Sequence, residues 1–544
     1  MQLQYLCSFS VDDDIKRRLG RLPPDLHTLY DELYQLLAAG PGATEAAVFK
    51  NALQWLLCAR RALRTEEFLC AVSLDVQQGQ IVSLASKDHV LKICNNFVVF
   101  DSELDTFRFA HLSVREYLEQ KPEYSRPTTN ALAAEVCLWT VISTSPSKAT
   151  QKLLAEMGWQ AETLRAELKD LSRYADIYWA EHCRFAKEFR SSGRLKAALE
   201  DMLLSNGGAS SSIALWNKRL ERHLENYDYR YLGMPLVDTI PATGSLNCTG
   251  LLVSCAFDFV EHIEVVLQSR IETIQCVNQR GHGPLDITIA NGNCAALAFL
   301  LTLDQQETKI TQKMVVAAAG NYRNGKEVMA LLLEQRGSDI EITKEVVVAA
   351  AGNEDNGKEV MALLLEQRGS DIEITKEVVV AAAGNYRNGK EVMALLLEQR
   401  GSDIEITKEV VVAAAGNYRN GKEVMALLLE QRGSDIEITK EVVVAAAGNE
   451  NNGEEVMALL LEQRGSDIEI TKEVVVLICC NFDKEIVALL LKQRGSNIEI
   501  TKEVVVAAAG NYRNGKEVMA LLLEQRGSDI EITKEVVAAA ANSG

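Results

Sequence analysis

The second half of the chain is dominated by one pattern of apolar and polar positions, which returns every 32 residues and once after 30. A repeat of this length indicates a stacked array of small structural units. Such arrays are solenoids, in which each unit packs mainly against its neighbours. The copies, each named below by its first residue, begin at Ile310, Ile342, Ile374, Ile406, Ile438, Ile470, Ile500 and Ile532.

Each copy predicts two short helices joined by a turn. In the Ile342 copy, Thr343 is a suitable N-cap for a helix through "EVVVAAA", and Gly352 is a suitable end. The run "KEVMALLLEQ" predicts a second helix that stops at Gly369, and "SDIEI" (370–374) alternates as an extended segment does. Both helices are apolar around most of their circumference, so neighbouring copies must cover them. The residues expected to fill the space between copies are Val360, Leu363, Leu364 and Leu365.

The run "EVVVAAAG" leaves one alternative open, because valine is β-branched and favours strands. Each unit would then be a strand, a loop and a helix, as in a β/α solenoid. Against this, the three alanines are poor strand residues, and the polar Thr-Lys-Glu start is typical of a helix N-terminus. We therefore expect paired helices and a mainly α fold.

The first half of the chain predicts a different organisation. Three helices and a hairpin, followed by a further helix, form a winged-helix pattern. The expected helices are 44–61, 65–74 with Thr65 as its cap, 87–95 and 112–120, and the expected strands are 97–101 and 107–111. Helical periodicity continues at 130–143 and 173–189 and a flexible loop is expected at 204–212, while core positions are expected for Trp159, Trp179 and Trp216.

The predicted fold class is thus a winged-helix module, a helical linker region and a helical solenoid. The predicted domains are a helical tail (1–42), a winged-helix domain (43–122), a helical connecting region (123–242), two degenerate repeats (243–309) and the regular array (310–544).

Composition and charge narrow the possible functions. The formal net charge of −19 opposes binding to nucleic acid or to an anionic membrane surface. The 12 cysteines include no C-x-x-C pair, which argues against a metal site and favours reduced thiols in a cytosolic protein. The N-terminus lacks a secretory-signal pattern, and no apolar run is long enough to span a membrane. We predict a cytoplasmic protein without a metal ion, and its oligomeric state stays open.

The stretch "GNYRNGKE" (320–327) resembles the start of a phosphate-binding P-loop. A P-loop needs a Ser or Thr after the lysine to hold Mg²⁺, and here Glu327 follows Lys326. The stretch also recurs in other copies, whereas an NTPase needs one P-loop. Asn and Gly are the residues that tight connections require. We therefore interpret the stretch as a turn that only connects two helices, and we predict no cofactor and no catalytic residue.

The copies differ mainly at two adjacent positions of this turn. Tyr and Arg are common contact residues in protein interfaces, so these positions are candidates for binding a protein partner. The alternative is neutral variation at solvent-exposed loop sites. The candidate residues are Tyr322 and Arg323, Tyr386 and Arg387, Tyr418 and Arg419, and Tyr512 and Arg513; the Ile342 and Ile438 copies carry Glu354 and Asp355, and Glu450 and Asn451, instead.

The repeats resemble ankyrin repeats. "GKEVMALLLEQRGSDIE" is similar to the second helix and following loop of that family, and "NQRGHGPLDITIANGNCAALAFLL" (278–301) has Gly-Pro-Leu-Asp where the family has Thr-Pro-Leu-His. "TGLLVSCAFDFVEHIEVVLQ" (249–268) looks like another degenerate unit. The 32-residue copies have Ile-Thr-Lys-Glu at the motif position, which puts the family's projecting β-hairpins in doubt. The resemblance implies binding of a protein partner.

The first half resembles the end of a NACHT-type module of fungal NOD-like receptors, in the STAND class of signal-transducing NTPases. The resemblance rests on residues 3–37, 52–73 and "FRFAHLSVREYLEQ" (107–120). It implies that His111 matches the family's winged-helix histidine, which contacts the nucleotide phosphate when a nucleotide-binding core is supplied. The family's P-loop would precede residue 1, so the chain is expected to be a truncated receptor, a partial gene model or a regulator without its motor.

The expected function is therefore non-catalytic sensing or scaffolding of a protein partner by the repeats. One alternative is an ankyrin-like scaffold or adaptor with no nucleotide-switch role. Another is a DNA-binding winged-helix factor. Against this last alternative, the candidate recognition helix carries only Lys87 and Lys92, with Asp88 between them.

Overall fold

The chain divides into two compact units, residues 1–308 and 309–544. The division falls beside the predicted start of the regular array at Ile310. Most of the predicted tail (1–42) and of the predicted loop at 204–212 lies outside the described residues. The computed structural model describes residues 25–39, 42–75, 80–81, 86–144, 146–204, 212–225, 249–269, 273–278, 280–304, 308–369, 372–401, 404–433, 436–465, 468, 471–495 and 498–542.

The first unit begins with the predicted winged-helix arrangement. The rings of Phe68 and Phe107 stack 4.6 Å apart and join the hairpin to the helices. The hairpin is antiparallel and pairs Val98 with Phe109 and Asp101 with Thr106. The elements are α1 (Leu26–Ala39), α2 (Ala43–Cys58), α3 (Thr65–Ser73), the short antiparallel pair β1 (Leu74–Asp75) and β2 (Gln80–Ile81), α4 (Lys87–Cys94), β3 (Val98–Asp101), β4 (Thr106–Phe109) and α5 (Leu112–Glu119).

The predicted cap of α3 is wrong by one residue. Arg64 is the N-cap, and its backbone N–H donates to Oε2 of Glu67 at 2.9 Å. Thr65 is the first helical residue, and its hydroxyl donates to Oδ1 of Asp105 at 2.6 Å. Glu67 therefore closes the helix start from the third helical position, and Thr65 ties the helix to the hairpin turn.

The connecting region is helical, as predicted, and its tryptophans are buried. Trp179 packs edge-on against Trp216 at 5.4 Å, and Trp159 packs edge-on against Trp139 at 5.9 Å. All three predicted core tryptophans are confirmed by their burial. The helices are α6 (Arg126–Ser143), α7 (Lys148–Glu156), α8 (Ala161–Glu167), α9 (Ser172–Ala186), α10 (Gly193–Leu203) and α11 (Ser212–Glu225).

A buried polar network joins the winged helix to this region. Tyr174 accepts from the backbone N–H of Arg60 at 2.9 Å and bonds Nε2 of His182 at 2.8 Å. Asn130 Oδ1 lies 2.9 Å from Nδ1 of His182 and accepts from Nη2 of Arg60 at 2.9 Å. Burial, with a smaller contribution from Arg60, holds the pKa of His182 well below its usual range. Because Tyr174, His182 and Asn130 each have hydrogen-bond partners in it, this network fixes the packing of the segment after α2 on α6 and α9.

Two further helix pairs complete the first unit. They are α12 (Thr249–Phe257) with α13 (Val260–Gln268), and α14 (Pro284–Asn291) with α15 (Cys294–Leu301). Asn293, in the turn between α14 and α15, donates from Nδ2 to the carbonyl oxygens of Cys255 and Ala256 at 2.8 and 2.7 Å. This turn is therefore bonded to the preceding helix pair.

The second unit consists of the predicted helix pairs. The seven copies from Ile310 to Ile500 each contribute a helix A and a helix B, and the Ile532 copy contributes a helix A; the valines and alanines of A and the Val, Met and Leu of B form the core. The helices are α16 (Gln312–Ala319), α17 (Gly325–Arg336), α18 (Lys344–Ala351), α19 (Gly357–Arg368), α20 (Lys376–Gly384), α21 (Gly389–Arg400), α22 (Lys408–Gly416), α23 (Gly421–Arg432), α24 (Lys440–Ala447), α25 (Gly453–Arg464), α26 (Lys472–Asn481), α27 (Lys484–Arg494), α28 (Lys502–Ala509), α29 (Gly515–Arg526) and α30 (Lys534–Asn542).

The strand alternative for "EVVVAAAG" is wrong, because these residues are helical in the described copies. One predicted core residue also differs. Leu363 is only half-buried, whereas Met361 is fully buried beside Val360 and Leu364. The alternation after helix B is confirmed for the described residues, since Ile372 and Ile374 are buried on either side of exposed Glu373.

Candidate binding edge of the repeats

The turn between helix A and helix B is organised by one buried asparagine. In the Ile342 copy, Asn353 donates from Nδ2 to the carbonyl oxygens of Ala319 and Asn321 in the preceding copy, both at 2.9 Å. Its Oδ1 accepts from the backbone N–H groups of Asp355 and Asn356 at 3.2 and 2.9 Å. One side chain thus shapes its own turn and bonds that turn to the previous one.

This arrangement recurs along the array, and we call it the asparagine ladder. Each member is buried and bonds two carbonyl groups of the copy before it. The donor distances lie between 2.8 and 3.1 Å. Its members are Asn353, Asn385, Asn417, Asn449 and Asn511. The interpretation of the turn as a mere connection is therefore wrong, because the turn also holds neighbouring copies together.

A row of arginines bonds the copies at the other end of helix B. Arg400 donates from Nη1 to the carbonyl oxygens of Gly369 and Ile372 at 2.9 and 3.2 Å. Arg432 repeats this with Gly401 and Ile404 at 2.8 and 3.0 Å. Both ends of the helix pair are thus bonded to the preceding copy.

The glycine after the turn has a packing role. At Gly389, an added Cβ would lie 3.1 Å from the carbonyl oxygen of Ala382 and 3.1 Å from Nδ2 of Asn417 in the next copy. The amides of Arg387 and Asn388 already donate to Oδ1 of Asn385. The glycine and amide groups that resemble a P-loop in sequence are therefore used by the asparagine ladder.

The candidate Tyr–Arg pairs lie on the exposed tips of these turns. Tyr322, Tyr418 and Tyr512 are 41, 49 and 65% exposed. Tyr386 is half-buried, and its neighbour Arg387 is exposed. Because the asparagine ladder joins successive turns, the tips form one edge of the array, which we call the turn edge.

Some side chains of the turn edge contact the next copy. Arg387 pairs with Asp355, and the guanidinium of Arg419 lies 5.8 Å from the ring centre of Tyr386. The hydrogen bond with the Glu354 carboxylate raises the pKa of Tyr386, and that with Asp355 raises the pKa of Arg387.

In the Ile310 and Ile500 copies, the arginine of the pair lies over the ring of the tyrosine beside it. Arg323 lies over the ring of Tyr322 at 5.4 Å, and Arg513 lies over the ring of Tyr512 at 5.2 Å. Arg513 also lies within 4.0 Å of Glu450. A role of these residues in partner binding stays a prediction.

The Ile470 copy departs from the pattern, and we call it the short-turn copy. Asn481 donates to the carbonyl oxygen of Leu477 in its own copy at 2.9 Å, and Asp483 caps helix B by accepting from the N–H of Ile486 at 3.0 Å. Val444 of the preceding copy is 45% exposed, while the equivalent Val412 is half-buried. Between the described residues of these two copies, the cross-bond of the asparagine ladder is therefore missing.

Ion pairs follow the N-terminal ends of the A helices. Lys344 pairs with Glu377 of the next copy at 2.8 Å, and Lys408 pairs with Glu441 at 2.8 Å. These lysine hydrogen bonds, together with bonds from the Thr hydroxyl and backbone amide at the helix start, lower the pKa of Glu377 and Glu441 to about 2. Both pairs are exposed, so salt screens them.

His111 occupies the N-cap of α5. Its Nδ1 accepts from the backbone N–H of Ser113 at 3.2 Å and lies 2.7 Å from the Ser113 hydroxyl, which in turn bonds the Tyr30 hydroxyl at 2.8 Å. The imidazole is exposed. Its structural role is therefore to start the helix, and contact with a nucleotide stays a prediction.

Three other features of the described residues bear on function, namely possible metal ligands, the cysteines and the length of apolar helices. Among these residues, no three His, Cys, Asp or Glu side chains are grouped so that they could hold a metal ion. The ten cysteines in this part are free thiols. None of the described helices is both long enough and apolar enough to cross a bilayer.

Two family models match this architecture, a winged-helix domain and a repeated helical array. The model described as "GPI inositol-deacylase, winged helix domain" matches residues 37–132. The model described as "Domain of unknown function (DUF7104)" matches residues 300–329, 331–361, 363–393, 395–425, 427–457, 459–476, 489–519 and 521–544. Comparisons with curated proteins and with solved structures give no match.

These matches bear on the predicted resemblances. The winged-helix prediction is confirmed, and so is the repeated array. Neither description names ankyrin or a nucleotide-binding module, so those two resemblances stay predictions. The repeat matches omit residues 477–488, which contain the turn of the short-turn copy. The family model and the hydrogen bonds thus identify the same irregular position.

Proposed function

We propose that this chain is a non-catalytic scaffold whose repeats bind a protein partner through the turn edge. One observation carries the proposal. The copies keep the same residues in the buried core and in the asparagine ladder, and they change mainly at the pair on the turn tip. A constant framework that presents variable side chains is typical of a binding surface.

The chemistry of the pair supports the same conclusion. Tyr and Arg supply large contact areas and directional hydrogen bonds, and they are enriched among the residues that contribute most to protein interfaces. The asparagine ladder fixes the backbone beneath them before any partner arrives. Binding then costs less conformational entropy than it would on a flexible loop.

A finer part of the proposal concerns a STAND-type switch. The presence of a winged-helix domain and a repeat array in one chain supports a role in which partner binding is coupled to a nucleotide-binding core, with His111 facing the nucleotide when such a core is supplied. The free thiols suit a reducing compartment, so we place this activity in the cytoplasm. The alternative, an ankyrin-like scaffold without any switch, is supported by the structural role of His111 as a helix cap.

The binding proposal is tested by comparing two variants of the full chain in an affinity capture from an extract of the source organism. In the edge variant, Tyr322, Tyr386, Tyr418 and Tyr512 are replaced by Ala. In the control variant, the same number of exposed helix-B residues, Glu334, Glu366, Glu398 and Glu430, are replaced by Gln. The proposal predicts a protein retained by the wild type and the control and lost from the edge variant. Equal retention by all three would contradict it.

The switch is tested separately, by co-expressing the chain with a NACHT core. Docking that is weakened by His111→Ala but not by Leu104→Ala, a change at an exposed position of the hairpin turn, would support a STAND-type role. Absence of docking would favour the scaffold without a switch.

A further inference from the structure

The turn edge carries an ordered sequence of charges over five successive copies. The Ile310 copy presents Arg323, and the Ile374 and Ile406 copies present Arg387 and Arg419. The Ile342 and Ile438 copies present carboxylates instead, at Glu354 with Asp355 and at Glu450. Read along the chain, the signs of the five tips are positive, negative, positive, positive and negative.

We infer that the partner of the turn edge is a second copy of this chain, paired antiparallel about a two-fold axis at the tip of the Ile374 copy. In this arrangement, Arg323 faces Glu450 of the other molecule, and Arg419 faces its Glu354. This inference rests on the proposed function, since it names the partner of the same edge.

Charge order selects the antiparallel arrangement. When the sequence of five signs is reversed and laid against itself, four of the five positions bring opposite charges together. A parallel arrangement in the same register would bring like charges together at all five positions. Like charges that face each other at an interface repel, so the parallel arrangement is disfavoured. A two-fold axis also satisfies each complementary contact twice.

The central tip is the one position where like charges meet, and the structure offers a reason why this is tolerated. Arg387 is already paired with Asp355 of its own chain. The side chain that the two molecules bring together on the axis is therefore Tyr386, and aromatic rings pack favourably in offset or edge-to-face geometry.

The register of five copies follows from the spacing of the turns. The five copies from Ile310 to Ile438 share one step of 32 residues, and their turns are bonded through Asn353, Asn385, Asn417 and Asn449. The short-turn copy interrupts this spacing, and its Phe482 is buried rather than presented at the tip. The matched edge therefore ends before Arg513.

The groups needed for pairing are accessible. Glu450 has a side chain that is 71% exposed, so it can bind a partner's arginine in addition to Arg513 of its own chain, which lies 4.0 Å away, and Arg419 is also exposed. In the Ile438 copy, Glu454 replaces the lysine of other copies and adds to the negative charge. A single row of turn tips buries less than the ~1,200 Å² of a standard stable interface, so the dimer is expected to be weak and sensitive to salt.

The test is sedimentation equilibrium of the full chain at low ionic strength, with helical circular dichroism as the check on folding. The wild type is expected to dimerise, and 0.5 M salt is expected to weaken the dimer. Arg323→Glu should weaken dimerisation by at least about tenfold, because it places like charges at two symmetric contacts. Lys152→Glu, the same change of charge at a side chain of α7 that is 81% exposed and lies outside the turn edge, should not weaken it.

The most specific test exchanges the charges of the contact between Arg323 and Glu450. Arg323→Glu and Glu450→Arg chains should each dimerise poorly alone. Their mixture should form a heterodimer about as well as the wild type, because all contacts are then complementary. Failure of the mixture to recover, or an equal effect of Lys152→Glu and Arg323→Glu, would overturn the inference. A wild type that stays monomeric while the edge variant loses a captured protein would also overturn it, and would leave the proposed function standing.

Discussion

Two boundaries between neighbouring copies, which we call seams, differ in the hydrogen bonds that their turn asparagine makes. Between the Ile374 and Ile406 copies, Asn417 donates to two carbonyl groups across the seam. Between the Ile438 copy and the short-turn copy, Asn481 bonds within its own helix instead. Core burial persists in the short-turn copy, since Val474, Val475 and Ile478 are buried. The comparison teaches that apolar packing stacks the copies, while the asparagine ladder is a separate device that fixes their turns.

The largest expected effect comes from removing one ladder asparagine. Asn417→Ala leaves the carbonyl groups of Ala383 and Asn385 and two turn amides without their partner. Since each buried unsatisfied polar group costs ~1–3 kcal/mol, we expect a loss of about 3 kcal/mol in the free energy of unfolding. Urea unfolding followed by circular dichroism measures it.

The matched control is Asn481→Ala in the short-turn copy. This change removes only a bond within one helix, so it is expected to cost less than about 1 kcal/mol. Equal losses for the two variants would show that the ladder does not distinguish the two seams.

A smaller effect is expected from crowding a regular seam. A Cβ on Gly421 would lie 3.1 Å from the carbonyl oxygen of Ala414 and 3.3 Å from Nδ2 of Asn449. Gly421→Ala is therefore expected to cost about 1–2 kcal/mol, because the next copy must shift to make room. Thermal unfolding provides the comparison.

Gly401→Ala is the control for crowding. An added Cβ there meets none of the described atoms within 4 Å, and the residue has a helical φ of −55°. Alanine should be neutral, or stabilise by up to about 1 kcal/mol through the unfolded chain. If Gly401→Ala were the more harmful change, the close-approach explanation would be wrong.

The arginine row is expected to contribute less than the asparagine ladder, because its members are half-exposed. Arg432→Ala removes bonds to the carbonyl oxygens of Gly401 and Ile404, and we expect a cost of about 1 kcal/mol. Arg419→Ala, at an exposed turn tip, should change the free energy of unfolding by less than about 0.5 kcal/mol. The urea midpoint is expected to fall further for Arg432→Ala than for Arg419→Ala. A larger fall for Arg419→Ala would count against a structural role for the arginine row.

The smallest effect is expected from the exposed ion pairs. The pKa of Glu377 and Glu441 is lowered from 4.5 to about 2 in the folded chain, so the unfolded chain binds these protons first as the pH falls. Their contribution is therefore present above pH 4.5 and is lost between about pH 4.5 and pH 2. Replacing both residues by Gln should flatten this part of the stability profile. An unchanged acid slope would exclude these pairs as its cause.

The sequence predicts local structure in the array well, and it misses the bonds between copies. Thr343, Gly352 and the apolar periodicity suffice to locate helix A, because capping and burial act over one or two turns. The role of Asn353 cannot be predicted from the neighbouring residues, because a simple turn also favours an Asn beside a Gly. Its acceptors, on Ala319 and Asn321, lie more than 30 residues earlier in the chain.

The errors in the predictions have equally local causes. The unbroken apolar run predicts that Leu363 lies in the core, but the helical rotation turns Met361 inward in its place. Thr65 is a good capping residue by type, but Glu67 reaches back to the backbone of Arg64 and decides the cap. The variable pairs of the turn edge can be predicted from the sequence, because the copies are nearly identical and a comparison between them shows the positions that differ.

Hydrogen exchange of the full chain, read at the turn amides, tests the central claim most directly. Exchange in native proteins requires local opening, so it reports how firmly each turn is held. The amides of Arg419 and Asn420, which donate to Oδ1 of Asn417, should exchange much more slowly than the amides of residues 483–485 of the short-turn copy. Asn417→Ala should abolish this protection at its own seam alone. Equal exchange in the two turns of the wild type would contradict the claim that the asparagine ladder joins the repeats.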